Sequence, residues 1–139
     1  MNTYYFNDSN FKELDIYKNF IKENSGNAYL DIRTSAASEA IPVSGVKIII
    51  SKIIDNNKII FYEGLTDNSG MINNINLPTP IINTNDLVVP IGTIYNIEAI
   101  YNDINKNYSI LMYNGITFLQ NINIVPTIDL IERSKYNGI

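Results

Sequence analysis

Three carboxylates, Glu63, Glu98 and Asp103, are the residues best suited by type to acid–base chemistry. Paired carboxyls of this kind cleave glycosides when they stand roughly 5 to 9.5 Å apart in a cleft, one giving a proton and the other acting as base or nucleophile. Nothing in the spacing pairs these three, and surface charges are the plainer reading. Ser51-Lys52 has the composition of a Ser–Lys nucleophile pair, but neighbours along a strand point to opposite faces and cannot meet. Asp67-Asn68-Ser69-Gly70 holds one carboxylate where a calcium loop wants several at alternate positions and a later Glu, so it reads as a turn. The chain has no Cys, His or Trp. Thiolate and imidazole metal sites, disulfides and imidazole-based triads are therefore excluded. No cofactor and no metal site is expected, and the chain is expected not to be an enzyme.

The composition bounds the setting. With 139 residues, 45 % hydrophobic and 17 % charged, the chain suits one globular domain with a genuine core. It contains 27 Ile and 22 Asn, about a third of all residues between them. Both share AT-rich codons, which points to a low-GC bacterial genome, a Firmicute, rather than to a selected function. A net charge of −4 with ten scattered cations speaks against nucleic acid. No apolar run approaches the roughly 20 residues that span a bilayer, so no membrane insertion is expected. The opening MNTYYFNDSN shows neither a basic n-region nor an apolar h-region, so synthesis in the cytoplasm without a signal peptide is the expectation, with later incorporation into a spore or cell-envelope assembly left open.

The elements that must position these residues follow from periodicity. Residues 1–10 are polar and aromatic and read as a loosely ordered arm. Asn10 followed by Glu13 has the spacing of a capping box. Phe11, Leu14, Tyr17 and Ile21 then recur at helical spacing, and Ser25-Gly26 supplies a stop, predicting a helix over 11–24. Its apolar stripe packs on its own domain or offers a docking surface. From residue 28 the period changes to two. Strands are predicted over 29–34, 46–54, 59–62, 71–77, 93–101, 108–113 and 116–125, and 128–131 is read as a continuation beyond Pro126. Asp55-Asn56-Asn57-Lys58 is read as a hairpin turn, because Asn tolerates positive φ. Pro78, Pro80 and Pro90 punctuate a connection over 78–92. The chain is therefore read as all-β, an antiparallel seven-stranded Greek-key β-sandwich with a short N-terminal helix. Two units are drawn, residues 1–26 as arm and amphipathic helix and 27–139 as the sandwich.

Ten Tyr and five Phe supply candidate contacts. Tyr combines an apolar body with a polar tip and suits protein interfaces and sugar stacking, although strand-end Tyr is also ordinary packing. The candidate interaction residues are Tyr4, Tyr5, Phe11, Leu14, Tyr17, Ile21, Tyr62, Tyr101, Tyr108 and Tyr113. The Asn residues fall mostly in turns and form no long runs.

With the strands laid out, a family pattern is visible. Ala40-Ile41-Pro42-Val43-Ser44-Gly45-Val46-Lys47-Ile48 resembles the A-x-P-V-x-G-A-x-V opening of carboxypeptidase-regulatory-like, or transthyretin-like, β-sandwich domains. Leu65-Thr66-Asp67-Asn68-Ser69-Gly70 matches the T-D-x-x-G turn of that family, and Ile75-Asn76-Leu77-Pro78-Thr79-Pro80 its I-x-L-P-x-P segment. Tyr95, with the run from Asn114 to Ile122, is similar to the closing pattern of the domain at the front of clostridial spore cortex-lytic enzymes. The resemblance covers roughly residues 28–126 and implies a scaffold, not a role. No lytic or peptidase domain accompanies it. Tyr95-Asn96-Ile97-Glu98 also resembles the Y-x-L-x-E strand of isopeptide-bonded pilin repeats. The lysine that crosslink requires would fall near Arg33, whose guanidinium cannot replace an amine, so no crosslink is expected.

These residues lead to a non-catalytic β-sandwich module acting as a structural or interaction component of a bacterial surface or spore-envelope assembly. Protein partners or self-association are expected through sheet edges, arm and helix. The alternative is a carbohydrate- or peptidoglycan-binding module with a Tyr-bearing face and cell-wall glycan as its ligand. On this reading, deleting residues 1–26 leaves a folded sandwich of lower oligomeric order.

Overall fold

Isoleucine at alternate positions builds this molecule. Strands bury one face by pointing every second side chain inward, and β-branched residues fit that pleated surface. The computed structural model describes residues 1–37, 39–81 and 91–125. Among these are β1 (Thr3–Tyr5), a 3-10 turn (Phe11–Glu13), α1 (Asp15–Glu23), β2 (Gly26–Ala36), β3 (Ile41–Pro42), β4 (Lys47–Ile54), β5 (Asn57–Leu65), β6 (Met71–Thr79), β7 (Thr93–Tyr101), β8 (Ile104–Met112) and β9 (Thr117–Val125).

The strands form two sheets. The first has the order β1-β5-β4-β7-β8; the second holds β6 and the short β3 on one side of β2 and β9 on the other. Their inner faces meet as one core. Ile48, Ile50, Ile59, Phe61, Ile97 and Ala99 from the first sheet face Leu30, Ile32, Ile75, Leu77, Ile122 and Ile124 from the second, all buried. Each of these Ile, Leu and Phe side chains contributes about 1.5–3 kcal/mol by leaving water. The β4–β5 hairpin turns through Asp55 (φ 48°) and Asn56 (φ 60°), the positive pair that matches strand twist.

The expectation of an all-β sandwich with an N-terminal helix therefore holds, but its finer form is corrected. Nine strands are described rather than seven, and the sheets are mixed rather than antiparallel. β1 runs parallel to β5, and β2 runs parallel to β9. Both parallel pairings join segments more than fifty residues apart, so no local pattern announces them. β8 begins at Ile104, earlier than residue 108, because exposed Asn105 and Asn107 and half-buried Lys106 break the apolar signal in its first half. β6 continues through Pro78, which an edge strand tolerates because the missing N–H costs no ladder bond there. The segment 128–131 and most of the connection over 78–92 lie outside the described residues.

The helix is also shorter than the periodicity suggests. Leu14 is extended (φ −81°, ψ 150°) and separates the 3-10 turn from α1. No capping box forms, since Asn10 is itself helical (φ −67°) and its side chain makes no cap bond. Asn24 ends the helix, its N–H and its Nδ2 both donating to Phe20 O (2.8 and 3.0 Å). Gly26 instead begins β2.

The motif over 40–70 works as a set of turn devices. Asp67 Oδ1 accepts from the N–H groups of Ser69 (2.9 Å) and Met71 (3.0 Å). Gly70 sits at φ 73°, and a Cβ there would meet Thr34 O at 2.4 Å. Buried beside it, Thr66 Oγ1 accepts from Val46 N (3.0 Å), while Thr34 Oγ1 lies 2.7 Å from Val43 O and 3.2 Å from Thr66 Oγ1. Thr66→Val removes that acceptor from a buried N–H and should cost about 1–3 kcal/mol in urea unfolding. An unchanged midpoint would show that the threonine does not hold the bend.

Candidate functional site, an open strand edge

Charge and aromatic side chains are placed by register. On the outer face of the five-stranded sheet, Ile49 of β4 lies opposite Glu63 of β5 on one side and Glu98 of β7 on the other. Two strand spacings put these carboxylates about 10 Å apart. Each is held by a lysine, Glu63 by Lys47 (3.0 Å) and Glu98 by Lys58 (3.1 Å). The bond from Lys47 holds the Glu63 carboxyl below the usual range, and Tyr5 donates its hydroxyl to the same group (3.3 Å). Asp103 stands apart in the β7–β8 turn. Ser51 and Lys52 part as strand geometry requires. Ser51 is buried opposite Ile60 and Asn96, while Lys52 Nζ donates to Ile94 O (2.9 Å), and burial lowers the pKa of its amine. The lysine facing Glu98 is Lys58; Arg33 belongs to the other sheet, where its Nη2 donates to Glu39 O (3.4 Å).

The candidate interaction residues do not gather on one surface. Phe11 is buried in the core, and Tyr4 rests on it with ring centroids 5.4 Å apart. Tyr17 packs against Phe6 (5.2 Å) and Phe11 (5.9 Å). Phe6 stacks on Phe61 (4.6 Å), and Phe20 lies 5.5 Å from the same ring. Leu14 and Tyr5 are exposed, and Ile21 is half-buried. Tyr62, Tyr101 and Tyr108 are half-buried and pack against the core; burial raises the pKa of Tyr62 and Tyr108. Tyr113 is half-buried beside the Asn114-Gly115 turn. Of the predicted helix stripe, Phe11 and Tyr17 thus pack on their own chain while Leu14 does not, and among the described residues no row of Tyr rings forms.

What the periodicity missed is an edge. β9 pairs with β2 and, among the described residues, with no other strand. Exposed strand edges normally carry charges, proline, bulges or very short strands that discourage a further strand. The other edges of this fold follow that rule. β1 and β3 have three and two residues, β8 carries Lys106, and β6 is broken by a register shift and Pro78. β9 spans nine residues, TFLQNINIV, with no charge, no proline and no glycine, and its one register shift on β2 falls at its far end, between Asn123 and Val125. Around its start Ile116 (52 % exposed), Phe118 (41 %) and Leu119 (46 %) face solvent. Its position is fixed by the turn before it, where Asn114 Oδ1 accepts from Asn27 N (3.0 Å) and Gly115 N donates to Asn27 O (2.8 Å). At its far end Lys106 Nζ donates to Asn123 O (2.5 Å), tying the sheets together. The signal was in the sequence, an uncharged run of nine, but its edge position is a fact of tertiary order.

These two packed sheets, with the Pro42–Gly45 bend and the Asp67–Gly70 turn feeding them, make a β-sandwich. Among solved structures, the chain is similar to that of Klebsiella pneumoniae 5-hydroxyisourate hydrolase, with a TM-score of 0.48 and 13 % identity over 71 % of this chain and 90 % of that one. No family model and no curated protein matches the chain. The expectation that the chain is not an enzyme is corrected here, because the similar solved chain is a hydrolase. At 13 % identity that likeness assigns neither a reaction nor a residue to this one. Among the described residues, no helix is long and apolar enough to cross a membrane.

Proposed function

We propose that this chain is a structural and interaction component of a bacterial surface or spore-envelope assembly, joined to its neighbours through the edge of β9. The single observation that carries this reading is the nine-residue uncharged edge strand flanked by exposed Ile116, Phe118 and Leu119. An unpaired edge offers a row of backbone donors and acceptors to any extended strand, and side-chain pockets then set the choice. A second copy of the chain is the first such neighbour. Antiparallel pairing about a two-fold axis at Leu119 would set Thr117 against Asn121 of the other copy and Leu119 against its own equivalent. No like charges meet in that register, because the strand has none. The surface or spore setting is supported by the resemblance of residues 40–48, 65–70 and 114–122 to the front domain of spore cortex-lytic enzymes.

Sedimentation velocity over a concentration series tests the reading. The wild-type chain is expected to self-associate reversibly. Leu119→Lys and Asn121→Lys, which place a charge on the exposed face of the edge, should weaken association about tenfold or more while leaving far-UV dichroism unchanged. A wild type that stays monomeric throughout, or association that both variants leave intact, would remove β9 from the account.

A further inference from the structure

Across β2 from β9 lies a second feature that the edge reading does not use. β6 gains one residue relative to β2 between Ile72 and Ile75, where Asn74 adopts φ 61° and its N–H is held by Asp31 Oδ1 (2.8 Å). Such bulges re-aim side chains and recur beside binding sites. Here the bulge borders a cleft of about 370 Å³ between β6 and the N-terminal arm. Its aromatic lining is Phe6, Phe61 and Tyr62, and Asn7, Asn27, Asn73, Asn74 and Asn76 bring five amides to it. None of the residues lining it is charged, in a chain with 24 Lys, Arg, Asp and Glu side chains.

We infer that this cleft is a binding site for a neutral saccharide. Each asparagine amide presents a donor beside an acceptor, the arrangement that adjacent hydroxyl groups complement. Aromatic rings take the apolar C–H faces of a sugar ring; Phe61 is buried beneath Phe6, so half-buried Phe6 and Tyr62 offer that surface, and tyrosine adds a polar tip. An anionic or cationic ligand would shed hydration in the cleft with no opposite charge to replace it. The volume falls within the small-ligand range of roughly 300–1,000 Å³. A glycan-binding role placed on a row of Tyr has no such row to use; the amides carry it instead, with Tyr62 as the one candidate Tyr in the lining.

Chitotriose, cellotriose and trigalacturonate at millimolar concentration, added to the full-length ¹⁵N-labelled chain, test the inference by amide shift perturbation. At least one of the two neutral trisaccharides is expected to shift residues 7, 27, 61–62 and 73–76 with saturation. Asn73→Ala and Asn76→Ala, both exposed and outside the core, should weaken that binding about three- to tenfold each. Tyr62→Ala should weaken it too, with the two Asn variants deciding the matter if that chain does not fold. The site is refuted if neither neutral sugar binds, if the shifts fall elsewhere, if trigalacturonate binds as well as the neutral sugars, or if only an uncharged capped peptide shifts these residues.

Discussion

Deleting residues 1–26 should abolish the cooperative unfolding transition rather than leave a folded sandwich of lower oligomeric order. β1 is hydrogen-bonded along β5, with Thr3, Tyr4 and Tyr5 opposite Lys58, Ile59 and Ile60. Phe11 and Phe20 are buried in the same cluster as Ile59, Phe61 and Tyr95. Losing those two rings alone forfeits about 3–6 kcal/mol of burial. That is a large share of the roughly 5–15 kcal/mol by which such domains are stable. It also bares Phe61 and Ile59 to water. The opposite expectation, drawn from the sequence, treats the arm as detachable; the ring contacts of Phe6, Phe20 and Phe61 argue against it. Urea unfolding followed by far-UV dichroism checks the point, and a sigmoidal transition of wild-type midpoint in the truncated chain would contradict it. Phe11→Ala in the intact chain should lower stability by about 3–5 kcal/mol.

Tyr95 is the second position of large effect. It is fully buried, stands edge-on to Phe61 with centroids 5.0 Å apart, and donates its hydroxyl to Pro78 O (2.5 Å), joining the two sheets. Tyr95→Ala should cost about 3–5 kcal/mol by opening a cavity at the centre of the core. Tyr95→Phe keeps the ring and should cost about 1–2 kcal/mol through the lost bond. The two chains also differ in alkali. Burial raises the Tyr95 pKa well above the ordinary value of 10.0, so the folded chain holds the proton that the unfolded chain releases. The stabilisation is complete below pH 10 and declines as pH rises beyond it, by about 1.4 kcal/mol per unit. The gap between wild type and Tyr95→Phe should therefore narrow above pH 10. Parallel pH profiles would show that the phenol is not held neutral by the fold.

The strands of the core were legible because residues 46–54 are dense in Ile and Ile97 stands between Asn96 and Glu98, and because Asp55-Asn56 can take positive φ. The resemblance over 40–70 likewise pointed to turns, which Asp67 and Gly70 make. What stayed hidden depends on partners distant in sequence. Tyr4 gives no sign that it lies beside Ile59, nor Thr117 that it lies beside Tyr29. The stripe Phe11, Leu14, Tyr17 and Ile21 shows which face of a helix is apolar but not what covers it. The candidate sites were least legible. An uncharged run such as residues 117–125 reads the same at a sheet centre or an edge, and the bulge that aims Asn73 and Asn74 follows from the register of β6 on β2. The two carboxylates across Ile49 also meet only through β4, thirty-five residues apart in the chain.

Hydrogen exchange of the β9 amides as a function of protein concentration tests the central claim most directly. Strand addition must bury backbone that faces water in the monomer. The account predicts that amides within residues 117–123 gain protection as the concentration crosses the association midpoint, while those of β1 and α1 do not change. Exchange in β9 that is the same at every concentration, in a chain that nevertheless associates, would contradict it.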